Sequence, residues 1–222
     1  MASPYYTKQP VYLEDPSGRF NNILPNAESS LDPSGFQGPQ GRYVKKMKNQ
    51  KTRLNFPYTP TISVIQSANY NEYGLTHSNF QQRAFDSHTN MELNITAPMI
   101  VRSEEEANYV YNAAVWIRST MKMEWMQDDN PGMPPPILRF NAHGVYENIP
   151  CIIRDFTWNL DSDIDYVEID DPTSNNRSKI MRIPVTNMFV LSLSVTYSPK
   201  SIRENFSVKD YLAGNLKDKG YV

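Results

Sequence analysis

The sequence is poor in the residues from which disulfide-rich domains and phosphate-binding loops are built. Cys151 is the single cysteine among 222 residues, so no disulfide can form within one chain. Its apolar neighbours in an alternating stretch predict plain burial. Nine glycines, none of them clustered, exclude a glycine-rich phosphate loop, and no nucleophile-elbow motif is present. These absences favour a binding or structural protein made in the cytoplasm over an enzyme.

The sequence also lacks a membrane-spanning or signal segment and a large net charge. No run approaches the roughly 20 apolar residues of a transmembrane helix, and the first residues lack the basic and apolar regions of a signal peptide. A formal net charge of −2 gives no overall argument for a nucleic-acid or anionic-membrane partner. We therefore expect a protein that does not associate with a membrane.

The sequence contains no complete metal-binding motif. The three histidines are scattered, without the spacing of a zinc site. Asp161, Asp163 and Asp165 match the first three ligand positions of a calcium-binding loop. The match fails at Tyr166 and Pro172, where a glycine and a bidentate glutamate would be required. We expect no metal, no cofactor and no catalytic residue, and we interpret the acidic loop at 161–176 as solvated or facing a partner's basic side chains.

The clearest periodic stretch is an amphipathic helix predicted over residues 103–127. Ser103 followed by Glu106 forms a capping box, in which each side chain accepts a free backbone N–H of the first turn. Glutamates in this turn complement the helix dipole, and the prolines at 134–136 prevent the helix from restarting. Apolar residues at helical spacing form one stripe, which consists of Ala107, Val110, Tyr111, Ala114, Ile117, Met121 and Trp125.

Alternating stretches on both sides of the helix predict strands. These strands lie within residues 54–65, 89–97, 138–142, 149–160 and 179–197. Residues 69–87 are polar and aromatic, and they predict a loop with at most one more strand. In the fourth strand, the pattern places Ile152, Phe156, Trp158 and Leu160 on one face. The side chains expected in the core are Tyr111, Ile117, Trp125, Phe140, Phe156, Trp158, Leu191 and Leu193.

Residues 1–53 do not have the pattern of a domain. Prolines recur among glycine, asparagine and serine, which predicts an extended N-terminal arm that orders on a partner or on its own domain. Residues 42–53 are basic without an acid, so they could bind phosphate, meet an acidic surface or remain solvated. The candidate contacts with other subunits or rings are Tyr5, Tyr6, Tyr12, Phe20, Arg42, Lys45, Lys46 and Lys48 of this arm, together with Asp161, Asp163 and Asp165.

Three sequence phrases carry a resemblance to a known family. They are PPILRFNAHG (135–144), IPCIIRDFTWNLDSDIDYV (149–167) and IPVTNMFVLSLSVTYSP (183–199). Together with the preceding capped helix, they resemble the tail-tube-like baseplate proteins of contractile-tailed phages, which cap the baseplate hub and initiate the tail tube. The resemblance covers residues 54–199 and not the N-terminal arm.

The resemblance implies a mainly β fold, a tail-tube-like β-sandwich or barrel over residues 54–200 with one flanking helix, followed by a C-terminal arm at 201–222. It also implies a structural virion protein that forms a hexameric ring at the junction of baseplate and tail tube. Its partners would be further copies of itself and the neighbouring tube and hub proteins, with nucleic acid at most passing through the lumen. Assembly would take place in the host cytoplasm.

A second interpretation stays open beside this one. A monomeric β-rich module could bind polysaccharide or nucleic acid through its tyrosines and the basic stretch at 42–53. Binding of DNA through several phosphate contacts would weaken steeply with salt.

Overall fold

The structure is a computed structural model that describes residues 11–18, 52–74, 76–77, 79–123, 132–170 and 180–221. These residues are mainly β. The strands are β1 (Tyr12–Asp15), β2 (Thr52–Asn55), β3 (Thr61–Ile65), β4 (Ala68–Tyr73), β5 (Gln82–His88), β6 (Glu92–Ile100), β7 (Leu138–Ala142), β8 (Tyr146–Trp158), β9 (Tyr166–Asp170), β10 (Ile180–Pro184) and β11 (Thr186–Val195). The helices are α1 (Glu104–Thr120), α2 (Pro199–Asn205) and α3 (Val208–Leu212).

Seven strands form one antiparallel sheet in the order β2-β1-β7-β8-β11-β6-β3. The terminal strands β2 and β3 do not pair with each other, so within the described residues the sheet is open. The mainly β class is confirmed, and the tail-tube-like sandwich or barrel stays a prediction. Strands β4 and β5 form a separate two-stranded hairpin, and β9 and β10 form another. The chain therefore has open antiparallel sheets with helices added to them.

One face of the large sheet forms the core. The alternation predicted for β6, β7 and β11 is confirmed, because Leu93, Phe140, Leu191 and Leu193 are fully buried. Helix α1 lies against β8 and β9 and contributes Ile117, also fully buried. Burying one such side chain stabilises the fold by about 1.5–3 kcal/mol.

Helix α1 begins as predicted and ends earlier. The Ser103 hydroxyl accepts the Glu106 N–H at 3.3 Å, and the Glu106 carboxylate accepts the Arg102 N–H at 2.7 Å. The last turn tightens because the Lys122 N–H bonds the Ser119 carbonyl at 3.0 Å, and the Ser119 hydroxyl bonds a helix carbonyl. The prediction that the helix continues to residue 127 was therefore wrong.

The side chains that α1 buries differ in part from the predicted stripe. Trp116 is fully buried although the stripe omits it, and Tyr111 is only partly buried against the core. Trp125 lies outside the described residues. The apolar surface of α1 is wider than the predicted stripe because both the sheet and the β9–β10 hairpin cover it.

Part of the predicted N-terminal arm belongs to the sheet. Strand β1 pairs with β2 on one side and β7 on the other, and Leu13 and Leu54 are fully buried. The domain therefore does not start at residue 54. Tyr12, expected as a contact with another subunit, lies in β1 with the Arg53 guanidinium 4.8 Å from the centre of its ring.

Three segments expected to be loops or arms contain regular structure. Residues 69–87 hold most of the β4–β5 hairpin, and the acidic loop at 161–176 contains β9. The predicted C-terminal arm is not extended, because it carries α2 and α3 and returns to the sheet, where Leu216 and Tyr221 are buried. Each of these segments uses short elements of seven residues or fewer, which are too short for a periodic pattern to stand out.

Candidate assembly surface

The β4–β5 hairpin exposes both of its faces. Every residue of the two strands is solvent-exposed. Tyr70 and Phe85 face each other across the strands, with their ring centres 5.8 Å apart in an edge-to-face arrangement. On the same face, Arg83 and Glu72 form an ion pair at 2.8 Å. A two-stranded hairpin without a covered face is marginally stable in water. One face of this hairpin is therefore available to pack against another molecule.

Ser67 and Thr89 close the base of the hairpin by bonding to each other. The Thr89 N–H donates to the Ser67 carbonyl at 2.9 Å, and the Thr89 hydroxyl donates to the same oxygen at 2.8 Å. In return, the Ser67 N–H donates to the Thr89 hydroxyl at 3.2 Å. These bonds extend the pairing of β4 and β5 to the two residues that precede and follow them.

The sheet edge next to the hairpin is open. Strand β3 pairs with β6, and within the described residues no strand pairs with its other side. Val64 pairs with Leu93 and so lies on the core face of the sheet, yet its side chain is exposed, as is Ile65. The apolar core face is therefore left partly uncovered at this edge, as in surfaces that contact another protein.

The opposite face of the sheet is wet. Met188 and Val190 of β11 are exposed there, and Ser192 and Ser194 are half-buried. The sequence alternation predicted this polar face.

The predicted acidic contacts are exposed. Asp161, Asp163 and Asp165 lie in the connection between β8 and β9. Within the described residues, no group of three or more acidic, histidine or cysteine side chains is placed to hold a metal ion. Of the predicted arm contacts, Tyr12 is described above. The others, Tyr5, Tyr6, Phe20, Arg42, Lys45, Lys46 and Lys48, lie outside the described residues.

Arg118 of α1 stacks over two aromatic rings, an arrangement that sequence patterns did not indicate. Its guanidinium lies 5.5 Å from the ring centre of Trp158 and 5.9 Å from that of Phe156. Together with Lys122 and Met121, these side chains line a shallow groove of about 470 Å³. Trp158 and Phe156, predicted as core, are only partly buried because they form the floor of this groove.

A β-bulge in β8 explains a further difference from the predicted pattern. The pairing register between β8 and β11 shifts between Ser192 and Leu193. Ile153 therefore pairs with Leu193, while Ile152 pairs with Ser194 on the wet face. A bulge of this kind inserts one residue, so side chains before and after it no longer follow a single alternation.

Cys151 is fully buried in β8, as predicted. Burial raises the pKa of its thiol to about 12, an effect that the nearby Arg139 guanidinium only partly offsets. The thiolate is the nucleophilic form of cysteine, so this side chain is inert near neutral pH.

No known family model matches the chain, and no curated protein matches its sequence. Within the described residues, no helix is long and apolar enough to cross a bilayer.

Proposed function

We propose that this chain is a structural protein of a phage-like contractile tail, where it forms a ring at the junction of baseplate and tail tube and templates or caps tube assembly. The observation that carries the proposal is the β4–β5 hairpin, which exposes four aromatic side chains beside an open sheet edge. A two-stranded hairpin that is marginally stable alone is stabilised when another chain covers one of its faces.

Ring formation accounts for the open sheet as well. The two terminal strands β2 and β3 each present a free edge in the described part of the sheet, and pairing between subunits removes such edges. The two edges belong to different strands, so contact between them is heterologous and generates a ring when the rotation closes. Under the tail-tube-like resemblance that ring is hexameric.

The wet sheet face suits the wall of a lumen. A sheet with one apolar and one polar face can separate a packed core from a water-filled channel. The half-buried serines of β11 and the ion pair between Arg154 and Glu92 lie on this polar side. In the proposed ring this face lines the channel, and nucleic acid at most passes through it.

Charged turns would set the register between rings. Asp161, Asp163 and Asp165 are exposed at one turn, and complementary charges fix orientation and encounter rate more than they raise affinity. The neighbouring tube and hub proteins are the proposed partners for this acidic turn.

Native mass spectrometry tests the proposal. The purified chain is measured alone over a concentration series and then mixed with tail-tube and hub proteins. We expect a ring-sized oligomer of defined stoichiometry. The double variant Tyr70→Ser/Phe85→Ser should remain monomeric with an unchanged unfolding midpoint, because both side chains are exposed and contribute little to the monomer core.

Leu160→Ser serves as the matched control, since Leu160 is an exposed apolar residue outside the hairpin. This control should assemble like the unmodified chain. A chain that stays monomeric in every mixture contradicts the proposal and favours the binding-module interpretation, for which a salt-titrated DNA and glycan screen is the next measurement.

A further inference from the structure

A second apolar surface lies on the two C-terminal helices. Five side chains of α2, α3 and the residues between them are exposed, and we define them as the C-terminal patch. The patch consists of Ile202, Phe206, Val208, Tyr211 and Leu212. Neighbouring exposed apolar side chains are typical of surfaces that contact another molecule.

The C-terminal patch is held in a fixed position. Tyr197 and Tyr221 stack with ring centres 4.8 Å apart and an angle of 10° between their planes. The Tyr197 hydroxyl donates to the Gly220 carbonyl at 2.9 Å, and the hydroxyls of Ser201 and Tyr221 are 2.6 Å apart. The segment after α3 thus closes back on the start of α2, and it fastens both helices to the end of β11.

The hairpin and the patch leave the same end of the large sheet. Ile65, the last residue of β3 before the hairpin, pairs with Glu92 of β6. Ser194, near the end of β11 before α2, pairs with the same Glu92. The two apolar surfaces therefore emerge side by side at one end of the strands.

From that end they extend toward different sides. The hairpin connects the edge strand β3 to its neighbour β6. The C-terminal segment crosses toward β8 and β1, since Lys217 lies 3.7 Å from Glu147 of β8 and Asp218 lines a groove with Tyr12 of β1. Phe206 of the patch contacts this segment, since its ring centre lies 5.6 Å from that of Tyr221. If the β2 edge of a neighbour meets the β3 edge of the first copy, the neighbour's patch then approaches the hairpin.

We propose that the β4–β5 hairpin of one copy docks on the C-terminal patch of the next copy in the ring. This inference rests on the proposed ring function and identifies the contact that closes the ring. Because both surfaces lie at the same end of the sheet, the contact is made within a ring. Two different surfaces of one chain meet, so the contact repeats around the ring.

The available area and charge fit this contact. Tyr70 and Phe85 share one face of the hairpin, and Phe80 lies in its connecting loop; the three side chains are between 56% and 83% exposed. With about 200 Å² for a whole aromatic side chain, they offer roughly 400 Å², which is half of the about 800 Å² that each partner buries in a stable interface. Residues 68–88 carry two acidic side chains and one basic one, whereas 199–212 carry three basic and two acidic ones. The two surfaces thus have opposite net charge, which favours their association.

Site-specific crosslinking between two variants tests the docking. One batch of protein carries Phe80→Cys in the hairpin loop, and the other carries Leu212→Cys in the patch. The native Cys151 does not interfere because it is buried and its pKa is raised. After mixing under assembly conditions, a short bismaleimide should link one copy of each variant into a dimer.

The control pairs Leu160→Cys with Leu212→Cys and should give no linked dimer. Native mass spectrometry of the unmodified chain, run in parallel, separates the two proposals. Rings without a hairpin-to-patch link overturn the docking and leave the ring function standing, whereas the absence of rings overturns both. As a second measurement, Leu212→Asp should prevent ring formation while Leu160→Asp permits it. Rings that form with Leu212→Asp contradict the docking.

Discussion

The indole N–H of Trp158 donates a 2.9 Å hydrogen bond to Oδ1 of Asn187. The amide nitrogen of Asn187, which is buried, donates in turn to the carbonyls of Pro184 at 2.6 Å and Met99 at 3.3 Å. One side chain thus connects the ends of β8, β6 and β10 to the start of β11. It also orients the indole that forms the floor of the groove under Arg118.

Replacing this asparagine should destabilise the fold. Asn187→Leu leaves the Met99 and Pro184 carbonyls without their side-chain donor, and an unsatisfied buried polar group costs about 1–3 kcal/mol. Urea unfolding measures the change. Asn159→Ala, at an exposed position one residue beyond β8, should change the free energy of unfolding by less than about 0.5 kcal/mol. Equal values for the two variants would show that the hydrogen-bond network contributes nothing.

The two tryptophans on either side of the α1–sheet contact should differ in their effect on stability. Trp116 is fully buried in the core, whereas Trp158 is partly exposed under Arg118. Trp116→Ala should lower the free energy of unfolding by about 3–5 kcal/mol. Trp158→Ala should lower the free energy of unfolding by clearly less, because it removes less buried surface. Denaturant unfolding of both variants measures the two losses. A larger loss for Trp158→Ala would contradict the burial assigned to both side chains.

Gly220 should tolerate no side chain. A Cβ atom at this position would lie 2.3 Å from the Asn148 carbonyl oxygen, and φ is +78°. Gly220→Ala should therefore detach the C-terminal segment, and limited proteolysis should then cleave near the C-terminus at lower protease concentration. Gly214→Ala is the matched control, since φ is +76° there but a Cβ meets no atom within 4 Å. It carries only the backbone penalty of about 1–2 kcal/mol. Equal protease sensitivity of the two variants would argue against the close contact.

Cys151 should make stability depend on alkaline pH. Its pKa is raised to about 12 by burial, above the value of about 8.5 for an unfolded chain. The unfolded state therefore loses this proton first. The contribution of the thiol is complete below about pH 8.5 and is lost progressively as the pH rises toward 12. The stability difference between the native chain and Cys151→Ala should shrink from pH 8 to pH 10. A constant difference would show that the thiol is not buried in its neutral form.

Elements with a long and regular residue pattern could be predicted from the sequence. The α1 start follows from local chemistry, since Ser103 and Glu106 need only their own backbone to form the cap. The alternation in β6 and β11 likewise identified the buried face, because a strand exposes every second side chain to the same side.

Shorter and interrupted elements escaped this reasoning. Strand β1 has four residues, too few for a pattern, and its pairing with β2 and β7 is decided by distant parts of the chain. The bulge in β8 shifts the register through its pairing with β11, so the sequence alternation misassigned Ile152. Trp116 was missed because the width of the buried surface of α1 depends on what packs against it.

The aromatic residues of the candidate assembly surface are visible in the sequence as a polar, aromatic stretch at 69–87. The sequence does not show that these side chains are exposed, because tyrosine and phenylalanine occur both in cores and on hairpins with two solvent-exposed faces. The juxtaposition of the hairpin with the C-terminal patch depends on the pairing of Ile65 and Ser194 with Glu92. Sequence determined which segments are apolar and where they alternate. The tertiary structure decided which of these surfaces stay uncovered, because burial depends on contacts between residues far apart in the chain.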